Sequence, residues 1–402
     1  MLRATLLLAV LSLVLPAQDS RPPPRDDEIL PAVANATTLL LDFQENYLEG
    51  KQAESSTVGP PREWPYEGVY RTAGLIPPGY RVGGTAICSW ALLESPGFES
   101  DAARKSGFLR GIVFILDALE KDPLLQSGFK GTYDVRGWAH AYGLRTLLRS
   151  LERNVLDDDV AQRSEKMVRT LIKVLVETEI PENGGWNYAR AGAKRPCGPS
   201  TFMTAPTLQA LFQARKQGFD VPEPMLQRGL KALEDARLDT GAFQYKTSKQ
   251  KIGTGFEDVP GACARMAVVE TTLYLGGRGS IDRIRGAVEA FFEHWEWLEK
   301  RRKQTGTHVA PYMIAPYYFH FAHTYVAQAI EQLPEPERPT LRSKLRALYW
   351  LTREEDGGWN DRVFRRSEGY GTAMAILGLL MPDLPPPARL ERKTATATKP
   401  SR

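Results

Sequence analysis

The sequence predicts an all-α fold in which six helix pairs close into a ring, with six inner and six outer helices. Three observations point there. The stretch 182–216 reads ENGGWNYARAGAKRPCGPS and then TFMTAPTLQALFQARK, and its pattern returns near the C-terminus as DGGWNDRVFRRSEG followed by YGTAMAILGLLM. Two such copies far apart in one chain mark a repeat protein. Helical patterns of two kinds alternate along the chain, and a glycine turn beside an aromatic precedes each pattern of the second kind.

In chain order, the first outer helix begins at Pro31, with Leu39, Leu40, Phe43 and Tyr47 spaced for one face. The other outer patterns, 101–120, 157–179, 222–237, 280–303 and 335–353, are long and amphipathic. In 280–303, Phe291, Phe292, Trp295 and Leu298 share a face, while Arg283, Arg285, Glu293 and Glu296 fall mainly elsewhere. The inner patterns, 85–93, 137–148, 200–213, 261–275, 317–329 and 371–380, are poor in charge and rich in small residues. A helix apolar nearly all round has neighbours on several sides. The turns are anchored by Gly68, Gly131, Gly185, Gly241, Gly306 and Gly358, spaced 52 to 65 residues apart, room for a loop and two helices each time. A linear solenoid is the competing arrangement; it needs polar end caps, which the sequence does not supply.

The ends read differently. Arg3, the apolar run Leu6 to Leu15, then Pro16 and Ala17 have the form of a secretory signal and are too short to span a bilayer. The expected organisation is a signal peptide over 1–20, a linker over 21–30, the helical domain over 31–382 and a disordered basic tail over 383–402. Export to the periplasm or the extracellular space follows, with no membrane span in the mature chain. Lys and Arg number 52 against 48 for Asp and Glu, a balance that does not suit a dedicated nucleic-acid binder. Three cysteines, Cys88, Cys197 and Cys263, are too few for a disulfide framework.

The Gly-Gly-Trp-Asn turns, each followed by a short loop and a small-residue helix such as TAMAILGLL, resemble the prenyltransferase and squalene-cyclase repeat over about residues 60–382. The resemblance implies an α6/α6 toroid with a central cavity. Its cyclases protonate an alkene with an Asp-rich motif; the one Asp cluster here, Asp157–Asp159, opens an outer helix and reads as an N-terminal charge complement. The chain is also about half the length that a two-domain cyclase needs. Protein prenyltransferases of this type hold zinc with an Asp, a Cys two residues later and a His on a following inner helix. Cys263 and His323 sit one repeat apart, but Gly261 stands where the Asp belongs, leaving Asp258 as the nearest carboxylate. No other cofactor is implied.

Candidate chemistry gathers where inner helices begin, because their N-termini converge there. The loops 71–84, 187–200, 246–255 and 360–369 carry Arg71, Arg81, Arg190, Lys194, Arg195, Lys246, Lys249, Lys251, Arg362, Arg365 and Arg366 against only Asp361 and Glu368. That bias suggests an anion-attracting mouth, to which Arg136 and Tyr317 add; solvated loops of chance composition are the plain alternative. In YDVRGWAHAY, Asp134 and His140 form a candidate acid–base pair near Trp138. The plain reading is an Asp134–Arg136 pair holding the loop and a core His140. His320 and His323 share a helix face beside Tyr317 and Tyr318. The function expected is a binding protein that takes an anionic or extended ligand at the cavity mouth. The alternatives are a polysaccharide lyase or hydrolase, and a zinc-dependent transferase using Cys263 and His323.

Overall fold

The structure, a computed structural model, describes residues 23–48, 60, 62–128, 135–188, 198–246 and 255–391. Among them run twelve α-helices: α1 (Asp26–Asp42), α2 (Pro78–Glu94), α3 (Ala102–Lys121), α4 (Arg136–Arg153), α5 (Asp158–Thr178), α6 (Thr201–Lys216), α7 (Glu223–Asp235), α8 (Val259–Leu275), α9 (Ile281–Glu299), α10 (Tyr318–Ile330), α11 (Arg338–Leu351) and α12 (Glu368–Leu380). The described residues hold no β-strand, only isolated bridges. Residues 1–22 and 392–402, and with them the expected signal peptide and most of the tail, lie outside the described residues.

Odd-numbered helices are outer and even-numbered helices inner, as the two sequence patterns require. In α5 the buried residues Ser164, Met167, Val168, Leu171, Ile172 and Leu175 recur at intervals of three and four and leave the charged face to solvent. In α12 every residue from Gly369 to Leu380 is buried, so its neighbours surround it. Each inner helix packs on the next from α2 through α12, and α12 packs back on α2. That last contact closes the ring and removes the solenoid alternative. The seam is stitched by Asn35 Nδ2 donating to Asp356 O at 3.1 Å and by the Arg366–Glu45 and Arg346–Asp26 ion pairs.

Two boundaries differ from expectation. α1 begins at Asp26, because Asp26, Asp27 and Glu28 complement its positive N-terminal end. The stretch 384–391, expected within the tail, is ordered against the ring: Leu390 N donates to Leu275 O at 3.0 Å, and Arg389 lies 4.5 Å over the Tyr274 ring.

The turn that carries the repeat is built the same way three times. Trp186 donates its indole N–H to Leu175 O at 2.9 Å, and Trp359 does so to Tyr349 O at 2.8 Å. Each acceptor sits in the last turns of the preceding outer helix. The backbone N–H of each Trp goes to a threonine of the next inner helix, Thr204 or Thr372, at 3.0 Å. The first copy was expected at Gly68 and Tyr70, but Trp64 plays the part, donating to Leu40 O at 2.5 Å and to Thr85 Oγ1 through its backbone at 2.9 Å. Close approach at these turns needs glycine: a Cβ on Gly371 of α12 would stand 2.3 Å from Trp359 O.

Replacing Trp359 by Phe keeps most of the ring and removes the donor, leaving Tyr349 O buried without it. The expected loss is about 1–3 kcal/mol of unfolding free energy, read from urea denaturation. A change within error would show that the indole N–H carries no weight.

Candidate functional site

The inner helices run parallel and in register, so side chains at equal depth meet across the lumen. Nearest their N-termini lies a deck of aromatic rings. Trp138 of α4 stands 5.6 Å from Tyr370 of α12, 6.4 Å from Phe202 of α6 and 5.8 Å from Tyr66, in a parallel stack with the last. Phe202 stacks on Phe321 of α10 at 3.9 Å. One turn deeper, Tyr142 and Tyr325 meet hydroxyl to hydroxyl at 3.3 Å. Deeper still, Gln209 Nε2 donates to Gln328 Oε1 at 2.9 Å and to Thr272 Oγ1 at 3.0 Å. At the far end Leu384 to Ala388 cross the helix C-termini over a cavity of about 60 Å³ that Trp90, Arg145 and Gln328 also line. The upper deck faces outward through a half-buried collar of Tyr245, Phe256, His308 and Tyr317.

The polar tips of this upper deck are unusual. Tyr66 Oη, Trp138 Nε1, Tyr318 Oη and Tyr370 Oη are buried and bonded to nothing. Beside them, Asp361 and Arg362 are 0% and 1% exposed, and neither carboxylate oxygen nor any guanidinium nitrogen has a hydrogen-bond partner. Native proteins pair nearly all such groups. Arg362 opposes the rise of the Tyr66 and Tyr80 hydroxyls electrostatically, and its guanidinium approaches the Tyr66 hydroxyl closely, though outside strict hydrogen-bond geometry. Burial pushes the Asp361 carboxyl up to about 8 against the opposing pull of Arg362 and Arg302, so at neutral pH it is largely protonated. Arg302 itself is held by Glu299 and Glu354. No carboxylate among the described residues is hydrogen-bonded to the Arg362 guanidinium.

The repeat explains how Asp361 comes to be there. In three copies the second residue after the turn aromatic is a tyrosine that meets the rings of the upper deck: Tyr66 after Trp64, Tyr188 after Trp186 and Tyr245 after Phe243. After Trp359 the same position is Asp361, which acts on Tyr66 and Tyr370. An acid at a register position held elsewhere by tyrosine is a signal that sequence reading could have used.

The other expected residues are distributed as follows. Arg190, Lys194, Arg195, Lys249, Lys251, Asp134 and Cys197 lie outside the described residues. Much of the described basic mouth is already neutralised. Arg81 makes a bidentate pair with Glu63, at 2.7 and 2.6 Å; Arg71 binds Glu67, and Arg366 binds Glu45 and Glu67. These glutamates come from 45–67, outside the loops that were counted. Arg365 is exposed beside a groove of about 330 Å³ floored by Phe43 and Trp64. Arg136 is buried and donates to Gln126 O at 2.7 Å. Tyr317 sits in the collar, 3.4 Å from both the Tyr245 hydroxyl and His308 Nε2.

His140 bonds Leu125 O at 2.8 Å from a fully buried place away from the lumen, and burial lowers it to about 4; it is a neutral core histidine. His320 is also buried and neutral, set against Gly371 of α12, with both ring nitrogens unpartnered. The expected zinc ligands do not assemble. Trp295 Nε1 can only donate, so His323 Nε2 accepts it at 2.9 Å, which puts the ring proton on Nδ1, 2.7 Å from Phe319 O. Both nitrogens are thus engaged, with the ring turned toward the outer helices. Cys263 Sγ lies 3.3 Å from Pro260 O, and Asp258 is exposed at the start of α8. No three His, Cys, Asp or Glu residues are grouped to hold a metal among the described residues. Gly261 cannot carry the missing carboxylate, because a Cβ there would stand 2.0 Å from Gly255 O.

The fold is the α/α toroid. Solved structures of that kind align over nearly the whole chain. The type II terpene cyclase MstE from Scytonema aligns at a TM-score of 0.50, with 16% identity over 90% of this chain and 100% of that one. An unsaturated glucuronyl hydrolase from a Bacillus species aligns at 0.56, with 12% identity over 87% and 95%. An α-1,6-mannanase of a Salegentibacter species aligns at 0.53, with 9% identity over 88% and 99%. No protein-family model matches the chain, and no curated protein matches it by sequence. The Scytonema enzyme is covered along its whole length, so the length of a two-domain cyclase has no bearing on that likeness.

A carboxyl raised in the folded state keeps its proton while the unfolded chain, with an Asp near its usual ~3.9, releases it. Stability from Asp361 is therefore complete below about pH 4 and falls as pH rises toward 8. The slope is at most about 1.4 kcal/mol per pH unit. Asp361→Asn should accordingly gain on the native protein between pH 5 and pH 8 in urea denaturation. An equal difference at both pH values would place the carboxyl in contact with water.

Proposed function

We propose that the protein binds an amphiphilic ligand whose extended or ring-bearing apolar body lies against the aromatic deck at the N-terminal end of the lumen. The observation that carries this reading is the convergence of Tyr66, Trp138, Phe202, Phe321 and Tyr370, from five separate segments, with hydroxyl and indole tips left unbonded. Large rings supply contact area, and their free tips supply orientation. The rings touch one another in this conformation, so the ligand enters by displacing them, beginning at the half-buried collar. A neighbour of the same fold, the terpene cyclase, has been seen with geranylgeranyl dihydroxybenzoate, a ligand of this general kind. The run from Leu6 to Leu15 after Arg3 supports action outside the cytoplasm.

One observation favours an enzymatic version of the same site. A carboxyl that holds its proton near neutrality among aromatic faces has what a general acid needs. In that version Asp361 donates a proton to the bound ligand, and Asp361→Asn abolishes turnover while binding remains. A transferase that uses zinc through Cys263 and His323 has no support in the geometry, since both His323 nitrogens are engaged.

The binding reading is tested by titrating geranylgeraniol, α-1,6-mannotriose and an unsaturated glucuronyl disaccharide against intrinsic tryptophan fluorescence. Saturable quenching by the prenyl alcohol alone is expected. Trp138→Leu should weaken it roughly 3- to 10-fold, the worth of one aromatic contact. Binding or cleavage of either saccharide without response to the alcohol would move the function to glycans.

A further inference from the structure

The aromatic deck accounts for the ligand's body but not for Arg362. Three facts isolate this residue. Its guanidinium is 1% exposed, and none of its three nitrogens is bonded. The other buried arginine of the upper lumen with an unbonded nitrogen, Arg265, is tied at both Nη atoms to the carbonyls of Gly261, Phe243 and Phe256. Buried carboxylates elsewhere are already paired: Glu63 with Arg81, Glu179 with Arg228 and Glu270 with Arg237. No carbonyl or carboxylate oxygen is bonded to the Arg362 guanidinium. The Tyr66 and Tyr370 hydroxyls and the Trp138 indole N–H are unbonded, and Phe364 stands beneath the guanidinium at 5.4 Å. Moreover, the pair breaks the repeat at a lumen position where tyrosine stands in three other copies, so the turn itself does not demand it. A local departure from a repeat without structural gain is where function is expected.

We infer that Arg362 and Asp361, with Tyr66 and Tyr370, form a subsite for a single carboxylate group on the ligand. The guanidinium fork receives both oxygens of a planar carboxylate side by side. Asp361, as the neutral acid, donates its O–H to the same group, and the tyrosine hydroxyls complete the shell. Charge counting selects the class. One guanidinium with no carboxylate bonded to it, in a ring-lined pocket, balances one negative charge, whereas a phosphate monoester or diphosphate brings about two or three. Burying the surplus charge without a partner is unfavourable. A neutral hydroxyl in the same place leaves Arg362 unbalanced. This inference rests on the proposed binding site and adds to it the chemistry of one end of the ligand.

The test uses three probes with one body: 4-butylbenzoate, 4-butylbenzyl alcohol and 4-butylphenyl phosphate, titrated calorimetrically into the full chain. The native protein should bind the carboxylate at least about tenfold more tightly than the alcohol, the worth of one charged hydrogen-bond set, and more tightly than the phosphate. Arg362→Met should erase the preference by weakening the carboxylate alone, with unchanged alcohol affinity reporting an intact fold. Should Arg362→Met fail to fold, Tyr370→Phe serves in its place, since it removes one donor and should weaken only the carboxylate, about threefold. Equal affinity for carboxylate and alcohol, or preference for the phosphate, overturns the subsite while leaving the aromatic site standing. Failure of all three probes to bind removes the aromatic site and the subsite together.

Discussion

The architecture depends on a strut made of one tryptophan and one threonine. At Trp64, Trp186 and Trp359 the indole caps a carbonyl near the end of the outer helix just finished, and the backbone is held by a threonine of the inner helix about to begin. The strut therefore ties two helices to the turn between them and gives each buried tryptophan N–H a partner. Where an inner helix is buried all round, as Glu368–Leu380 nearly is, its sequence sets no preferred rotation. The threonine supplies it, setting which residues face the lumen and which face a neighbour.

That rotation determines the content of the lumen. Once Thr372 is fixed on Trp359, Tyr370 points to the axis. The residue two places beyond the tryptophan is delivered to the axis as well, which is how a turn designed for packing comes to present a tyrosine in one repeat and an aspartic acid in another. The site is thus not grafted on the fold from a long loop. It is a substitution in a structural module, held by the same bonds as its tyrosine counterparts, and its rigidity comes without extra contacts.

The helix count, the alternation of inner and outer helices and the closed ring were legible in the sequence, because amphipathic period and small-residue content are local properties. Trp64 was passed over for Gly68 because its turn has no paired glycine, although its indole does the same work. The site was less legible. The basic mouth looked unopposed since Glu45, Glu63 and Glu67 precede the basic loops; Glu67 and Glu63 reach Arg71 and Arg81 locally, while closure of the ring brings Glu45 to Arg366. Arg362 was expected among the basic loops of the cavity mouth, whereas the folded ring buries it. His323 shows the reverse error. Its spacing from Cys263 fitted a metal site, but the helix turns that ring outward to Trp295, a rotation that spacing alone does not contain.

The segment from Leu384 to Ala388, laid across the helix C-termini, has a further consequence. With the Gln209–Gln328 bond above it, it stops the lumen at one end and makes the ring a cup. A cup has one door, so whatever enters past Tyr245 and Tyr317 must back out the same way. Nothing can thread through, and a chain longer than the cup is deep must leave its remainder outside. The depth of the floor, rather than the width of the mouth, then sets how much of a long molecule the protein can enclose.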